Sequence, residues 1–301
     1  MIAAARAEHR VAVDDHLELA VSGHSLAAYE TRIAGTVVRS TLPFEGFRPG
    51  DVAMPITLAP RSEPWRDVQK TQGFLADERR LIQMRSAGSW HRYEFAGLGG
   101  LSVDLERRLA IADAGISDLA LTELLLGPGL LLPLAASGVI ALHASAVRHA
   151  GRIVLLCGVS GSGKSSFARS AAVAGAEALV DDIAPCRIAP RPLLLPRFPQ
   201  LKWPNPLAVA DCAEAISAIV FIERGTTPLQ IQPLPLADAR LRLIRHTVAA
   251  RLFPSELLAW HLDAVTTLVQ RVPVAALAWP ECPIDQIPAQ VAAALAECSS
   301  F

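Results

Sequence analysis

A short stretch rich in glycine and serine, GVSGSGKSS at residues 158–166, constrains the fold of this chain more than any other feature. It follows the apolar run RIVLLC and precedes KSSFARSAAVAGA, whose apolar residues have helical spacing. Gly158 and the triplet Gly163-Lys164-Ser165 complete the pattern Gly-x-x-x-x-Gly-Lys-Ser. A strand, a glycine-rich loop and a helix in this order predict an α/β sheet with a phosphate cradle at one edge.

The residue types in this loop suit phosphate chemistry. Glycines allow the backbone to curl so that several N–H groups converge on phosphate oxygens, and the following helix adds its positive N-terminus. Lys164 would bring a full charge to the β and γ phosphates, and the Ser165 hydroxyl would ligate Mg²⁺. The chain has only three lysines (70, 164 and 202), so lysine in this loop is not background usage. The alternative is an ordinary glycine-rich turn. The predicted site for ATP and Mg²⁺ comprises Gly158, Ser160, Gly161, Ser162, Gly163, Lys164, Ser165 and Ser166.

The surrounding sequence predicts the rest of an α/β core. We expect a hairpin of strands 139–148 and 152–157, a helix that ends at Gly175, and a buried strand in EALVDDIAPCRI. The proline-rich segment 189–206 is expected to be extended. Further along, ISAIVFIERG and PVAALAWP predict strands, and LADARLRLIRHTVAARL, SELLAWHLDAVTTLVQRV and PAQVAAALAEC predict helices. Strands that alternate with helices are typical of an α/β domain.

Residues 1–120 have a different pattern. Short alternating segments such as LELAVSG and TRIAGTVVRS predict a β-rich N-terminal module, and PRSEPWRDVQKTQGF (60–74) predicts a loop. The chain would then consist of this module and a nucleotide-binding domain over 121–301. The module either docks a substrate through its strand edges or packs over the core and stabilises it.

Two adjacent acids and one histidine complete the candidate chemistry. Asp181 and Asp182 close the strand after the predicted helix, so that one can hold Mg²⁺ and the other can accept the proton of an attacking hydroxyl. Alternate side chains of a strand face opposite ways, so both can act together only if the chain turns there. The alternative is two solvated acids at a strand end. His143 lies on the strand before the loop and is either a site residue or a core histidine.

The segment from His143 through the glycine-rich loop to Asp181-Asp182 resembles the core of the HPr serine kinase/phosphorylase family over residues 139–188. The resemblance implies a P-loop fold like that of phosphoenolpyruvate carboxykinase, with Asp181, Asp182, His143 and Lys164 as catalytic residues. In FIERG it implies Glu223 as a further metal ligand beside Ser165, Asp181 and Asp182, and Arg224 as a phosphate contact. The chain departs from the family because the glycine-rich continuation of its signature is missing. Phosphorylase activity and HPr as a substrate are therefore not expected.

Among relatives of this family, the chain is most similar to the kinases of lasso-peptide biosynthesis, which phosphorylate the C-terminal serine of a precursor peptide. The resemblance thus implies an ATP-dependent serine kinase that acts on a peptide or small protein. Two alternatives stay open at this point. One is a small-molecule kinase of the same fold, and the other is a regulator that binds ATP without catalysis.

The composition of the chain limits the classes of partner that we expect it to bind. A net charge of −1 gives no general attraction to nucleic acid or anionic membranes. The apolar stretch Leu124–Leu142 is interrupted by two prolines and three glycines, which favours a buried helix leading into a strand. Five scattered cysteines without a CxxC pair favour reduced thiols. No signal peptide is recognised, so we expect a cytoplasmic protein, and a homo-oligomer is left open.

Overall fold

The computed structural model describes residues 16–280 except 22–28, 35, 41–47, 50–65, 76–77, 197, 199–211 and 226–229, together with residues 293, 294, 296 and 297. Its strands are β1 (His16–Val21), β2 (Tyr29–Ile33), β3 (Thr36–Ser40), β4 (Arg48–Pro49), β5 (Arg66–Leu75), β6 (Glu78–Ala87), β7 (Trp90–Phe95), β8 (Gly99–Asp104), β9 (Leu109–Ala112), β10 (Val139–His149), β11 (Arg152–Cys157), β12 (Glu177–Val180), β13 (Ile183–Arg187), β14 (Leu193–Leu194), β15 (Glu214–Gly225), β16 (Gln230–Pro233) and β17 (Val274–Pro280). Its helices are α1 (Asp118–Leu124), α2 (Leu130–Ala136), α3 (Lys164–Val173), α4 (Leu236–Arg245) and α5 (Ser255–Arg271).

These elements form two sheets in a mixed α/β fold. The first sheet has the strand order β4-β2-β3-β1-β9-β8-β7-β6-β5. In the second, β10 pairs antiparallel with β11, which runs parallel to β15, and β15 runs parallel to β17. β12 and β13 lie on the other side of β10, and β14 joins β13 to β15. The mixed α/β class expected from the sequence is therefore confirmed.

Helices cover both faces of the second sheet because its central strands are apolar throughout. Along β11, Val154 and Leu156 contact the cluster that holds Phe167 of α3. The alternate residues of β11 contact the opposite cluster, which includes Leu243 of α4 and Leu268 of α5. An apolar run without alternation is the pattern of a strand buried on both faces. This arrangement fixes the end of β11, and with it the following loop, between two helical layers.

The predicted hairpin and helix after it are confirmed, whereas one prediction for the N-terminal part is wrong. β10 and β11 pair from Ala144↔Cys157 to His149↔Arg152, and α3 ends at Val173, before Gly175. Residues 66–74, expected in a loop, belong to β5, which pairs with β6 along its length. The backbone hydrogen bonds of an edge strand can stabilise a polar sequence that has no alternation of its own. The predicted final helix lies mostly outside the described residues, as do Lys202, Cys282 and Cys298.

The apolar stretch that contains two prolines is buried inside the protein. It forms the end of α1, a π-helical turn over Leu125–Gly129, and α2, which leads directly into β10. Its leucines from Leu124 to Leu134 pack in the same cluster as Leu17 and Leu19 of the first sheet. In the part of the chain that the structure describes, no helix has the length and apolar character needed to cross a membrane.

The two sheets share this cluster, so the first sheet is not a separate appendage. Leu252 and Phe253, which precede α5, pack in it against the first sheet. The Tyr93 hydroxyl of β7 donates a hydrogen bond of 2.9 Å to the Leu252 carbonyl, and the Ala34 N–H donates one of 2.9 Å to the Pro196 carbonyl. Removing the first sheet would therefore expose a large apolar surface of the second. A docking role for the first sheet is best tested by point substitutions in the full chain.

A fully buried histidine in α5 makes the fold sensitive to acid. His261 has no exposed surface, neither ring nitrogen has a hydrogen-bond partner among the described residues, and its ring lies 5.5 Å from that of Phe253. Burial lowers the pKa of His261 from 6.5 to about 4. Since the unfolded chain binds the proton first as pH falls, stability decreases between pH 6.5 and pH 4.

We expect His261→Leu to remove the part of this pH dependence that His261 contributes, while His246, whose pKa is also lowered to about 4, keeps its own part. The shift corresponds to about 3 kcal/mol in the free energy of unfolding at pH 4. At pH 7 the variant should be at least as stable as the parent, because two unsatisfied buried nitrogens are lost. Urea unfolding of both proteins at several pH values between 4 and 7 measures the slope. An unchanged slope in the variant would show that His261 does not titrate in this range.

Candidate active site

The loop between β11 and α3 has backbone conformations that only glycine adopts without strain. Gly158, Gly161 and Gly163 have φ values of +152°, +80° and +98°. At Gly158 there is no room for a side chain either, since an added Cβ would lie 2.5 Å from the Ser162 Oγ and 2.7 Å from the Ile222 carbonyl oxygen. The loop therefore curls tightly against β15 before α3 begins at Lys164.

Lys164 lies in the curl of this loop. The residue is only 6% exposed, and its Nζ donates hydrogen bonds to the carbonyl oxygens of Gly158 (2.8 Å) and Val159 (3.2 Å). The Ser162 Oγ is also buried and has no hydrogen-bond partner among the described residues. Ser160 and Ser166 are exposed. A charged ammonium and an unsatisfied hydroxyl in a glycine-rich curl at a helix N-terminus suit an anionic ligand such as phosphate.

Asp181 lies directly beneath the start of α3. Its Oδ1 accepts hydrogen bonds from the hydroxyl groups of Ser165 (2.9 Å) and Ser145 (2.7 Å), and the residue is 4% exposed. Ser145 is on β10, so Asp181 joins the second sheet to the helix that follows the glycine-rich loop. A buried carboxylate oxygen beside a helix-start serine hydroxyl is a pair of hard oxygen ligands of the kind that Mg²⁺ prefers.

The chain turns at Asp182, which separates the two acids. Asp182 has a left-handed backbone with φ of +81°, and it lies between the end of β12 and the start of β13. Its Oδ1 is 3.5 Å from the Nε2 of His143. His143 and Ser145 are two residues apart on β10 and so lie on the same face of the strand. This one face therefore contacts both acids. Ser145 contacts Asp181, and His143 contacts Asp182.

A cavity of about 920 Å³ opens beside the loop. Its lining residues are His143, Gly158–Ser162, Phe221–Glu223, Arg242, Arg245 and His246. The last three belong to the last turn and the C-cap of α4, which therefore lines the same cavity as the glycine-rich loop. The volume is near the upper end of the range of small-molecule sites, about 300–1,000 Å³. The sequence prediction placed His143 and the loop in one site, and both line this cavity.

His246 is a cavity residue that the sequence gave little reason to choose. It caps α4, and its carbonyl accepts a hydrogen bond of 2.7 Å from the His143 N–H. The two rings are perpendicular, with centroids 6.3 Å apart. Burial and the neighbouring charges of His143, Lys164 and Arg242 lower the pKa of His246 to about 4. At neutral pH this ring is therefore uncharged. The only signal in the sequence is a histidine in the segment LADARLRLIRHTVAARL, which predicts a helix.

Glu223 lies at the cavity with its carboxylate ion-paired to Arg242. Of the predicted metal ligands, the structure thus brings Ser165 and Asp181 together. The Glu223 carboxylate instead contacts Arg242. Among the described residues, no group of three or more histidine, cysteine, aspartate or glutamate side chains has the spacing of a metal site. The side chain of Arg224 is outside the described part of the chain.

The substitution Gly158→Ala tests how closely the loop packs against β15. We expect Gly158→Ala to lower the free energy of unfolding by about 2–4 kcal/mol, because the new methyl group meets a backbone carbonyl and the backbone is strained as well. Gly161→Ala is the matched control, since Gly161 also has a positive φ but has no atoms within 4 Å of the added Cβ. Urea unfolding compares the two. Equal losses would contradict the close contact between Gly158 and β15.

Comparisons with known proteins give little beyond this geometry. No protein-family model matches the chain, and no curated protein matches it. Among solved structures, the chain is similar to the Hpr(Ser) kinase/phosphatase from Coxiella burnetii, with 10% sequence identity and a TM-score of 0.31. The match covers 53% of this chain and 92% of that chain. The assignment of a function therefore depends on the site itself.

Proposed function

We propose that this protein is an ATP- and Mg²⁺-dependent kinase that phosphorylates a serine hydroxyl of a peptide or small protein. The observation that supports it best is the convergence of three groups at one sheet edge. These are the glycine-rich loop with Lys164, the Ser165–Asp181 pair, and the Asp182–His143 pair. Phosphoryl transfer needs positioning and charge neutralisation more than covalent chemistry, and these groups can supply both.

The loop residues fit a bound triphosphate. The N–H groups of residues 158–165 and the Lys164 ammonium would hold the phosphate oxygens, and Ser162 would gain the hydrogen-bond partner that it lacks within the described protein. Ser165 and Asp181 would hold Mg²⁺, whose charge stabilises the negative charge on the transferred phosphoryl group. Since Ser145 holds the same Asp181 oxygen, it acts as a positioning residue for this acid.

In this proposal, Asp182 is the base that accepts a proton from the acceptor hydroxyl. The acceptor hydroxyl gives its proton to the Asp182 carboxylate while its oxygen bonds to the γ-phosphorus, and ADP leaves with the electrons of the broken P–O bond. His143, with its Nε2 3.5 Å from Asp182, would orient this carboxylate. The division assigns metal binding to the more buried acid and proton transfer to the more exposed acid, which lies beside the cavity residue His143.

The acceptor is proposed to be a peptide with a serine at its C-terminus, such as a lasso-peptide precursor. This part rests on the resemblance of residues 139–188 to the kinase family. A small-molecule kinase and an ATP-binding regulator are the competing functions. A kinase for a small molecule would phosphorylate no serine peptide, and a regulator would bind ATP equally well with and without the two acids while transferring nothing.

Intact-mass analysis tests this function. The full chain is incubated with ATP, Mg²⁺ and a pool of synthetic peptides in which serine stands either at the C-terminus or internally. We expect a gain of one phosphoryl group on C-terminal serine peptides, and its loss in the Asp182→Asn variant. Tight ATP binding without transfer to any peptide would contradict the peptide-kinase proposal and favour one of the two alternatives.

A further inference from the structure

Two arginines from the last turn of α4 line the cavity beside the glycine-rich loop. Arg242 and Arg245 both line it, and their spacing of three residues puts them on the same side of the helix. Arg242 is ion-paired with Glu223, and its guanidinium carbon lies 5.6 Å from the centre of the Phe221 ring. Its charge is thus largely compensated, and its position is fixed by two contacts.

Arg245 has a different environment. The residue is exposed at the cavity, and no acidic side chain of the described part of the chain is ion-paired with it. It directly precedes His246, whose carbonyl is hydrogen-bonded to the N–H of His143. The segment that carries Arg245 therefore contacts β10 at His143, and both side chains line the same cavity, in which the acceptor hydroxyl would react. A cation that pairs with no acid of the described residues suits an anionic group close to that hydroxyl.

Under the proposed function, on which this inference rests, the phosphates of ATP are held by the loop and Lys164. The anion beside Arg245 would then belong to the acceptor. A guanidinium binds a carboxylate through two parallel hydrogen bonds, which gives both affinity and orientation. We propose that Arg245 binds a carboxylate of the acceptor peptide next to the phosphorylated serine. This carboxylate is either the α-carboxylate of a C-terminal serine or the side chain of a neighbouring acidic residue.

A binding experiment with defined peptides tests this subsite in the full chain. The protein is saturated with Mg²⁺ and the non-hydrolysable analogue AMP-PNP and is titrated calorimetrically with acetyl-Ala-Ala-Ser, its C-terminal amide, and acetyl-Ala-Asp-Ser amide. We expect at least one carboxylate peptide to bind about tenfold tighter than the neutral amide. The peptide that binds tighter identifies the source of the carboxylate. Arg245→Gln should abolish the difference.

Arg240→Gln is the matched control, because Arg240 is an exposed arginine of the same helix that does not line the cavity. It should leave peptide and AMP-PNP binding unchanged. Equal or absent binding of carboxylate and amide peptides, with AMP-PNP still bound, overturns the subsite and leaves the nucleotide site standing. Weaker AMP-PNP binding by Arg245→Gln also overturns it, since Arg245 would then contact the nucleotide. Failure of the parent protein to bind AMP-PNP would instead contradict the proposed function.

Discussion

Replacing Lys164 by alanine is expected to reduce phosphoryl transfer by about 10²–10³-fold, as for the loss of a preorganised donor to a charged transition state. The lysine Nζ lies in the curl of the loop, where its charge would stabilise the phosphates. Stability should change little, because the variant loses two hydrogen bonds to carbonyls but no longer buries a charge. The rate of ATP turnover and the urea midpoint measure the two effects separately.

Lys70→Ala is the control for this substitution, since Lys70 is an exposed lysine of β5 in the other sheet. It should leave both turnover and stability unchanged. If Lys164→Ala turns over ATP at the parental rate, the loop does not hold the reacting phosphates. If the variant is unfolded, the result concerns stability, and Lys164→Met, which keeps the aliphatic volume, then takes its place in the turnover assay.

The second large effect is expected for Asp181→Asn. The amide keeps an oxygen that can accept hydrogen bonds from Ser165 and Ser145, but it loses the charge that would bind Mg²⁺. We expect turnover to fall by about 10²–10³-fold and to recover partly at higher Mg²⁺ concentration. Asp182→Asn should reduce turnover without such recovery, because Asp182 is assigned to proton transfer. Mg²⁺ titrations of ATP turnover compare the two variants.

Asp104→Asn controls for the loss of a buried acid. Asp104 is 2% exposed and accepts hydrogen bonds from the backbone N–H groups of Glu106 and Arg107 in the first sheet. It should lower stability without changing the Mg²⁺ dependence of turnover. Mild effects of both Asp181→Asn and Asp182→Asn, with no response to Mg²⁺, would show that neither acid has its proposed role.

Sequence patterns could predict the β10–β11 hairpin, the glycine-rich loop and α3 because their signals are local, whereas EALVDDIAPCRI, expected as one strand, forms β12 and β13. The apolar run of β11, the glycine-rich loop and the spacing in α3 are all contiguous, and each follows from burial or backbone conformation. The turn between the two acids is harder to predict from the sequence. Nothing in the sequence shows that Asp182 adopts a positive φ, and it is this turn that directs the two carboxylates to different partners. Pairing with β6 also determines the extended conformation of β5, an edge strand whose sequence has no alternation of apolar and polar residues.

Local sequence patterns do not predict that the end of α4 lines the cavity. Arg245 and His246 are more than 100 residues from His143 in the chain. They reach it because the residues after α4 return to β10, where Thr247 forms an isolated bridge with Leu142. Such a contact depends on how α4 and α5 pack over the sheet, which leaves no local pattern in the sequence. The amphipathic character of α4 predicts a helix but not what lies at its end.

Hydrogen–deuterium exchange with and without ATP and Mg²⁺ tests most directly whether the glycine-rich loop and the acid pair form the nucleotide site. The experiment needs no acceptor and reports on backbone N–H groups, which are the proposed phosphate ligands. We predict that nucleotide slows exchange in residues 158–166 and in the 181–182 turn, and that Lys164→Ala reduces this protection. Nucleotide binding that protects other segments and leaves these unchanged, or no protection anywhere, would contradict the proposed site.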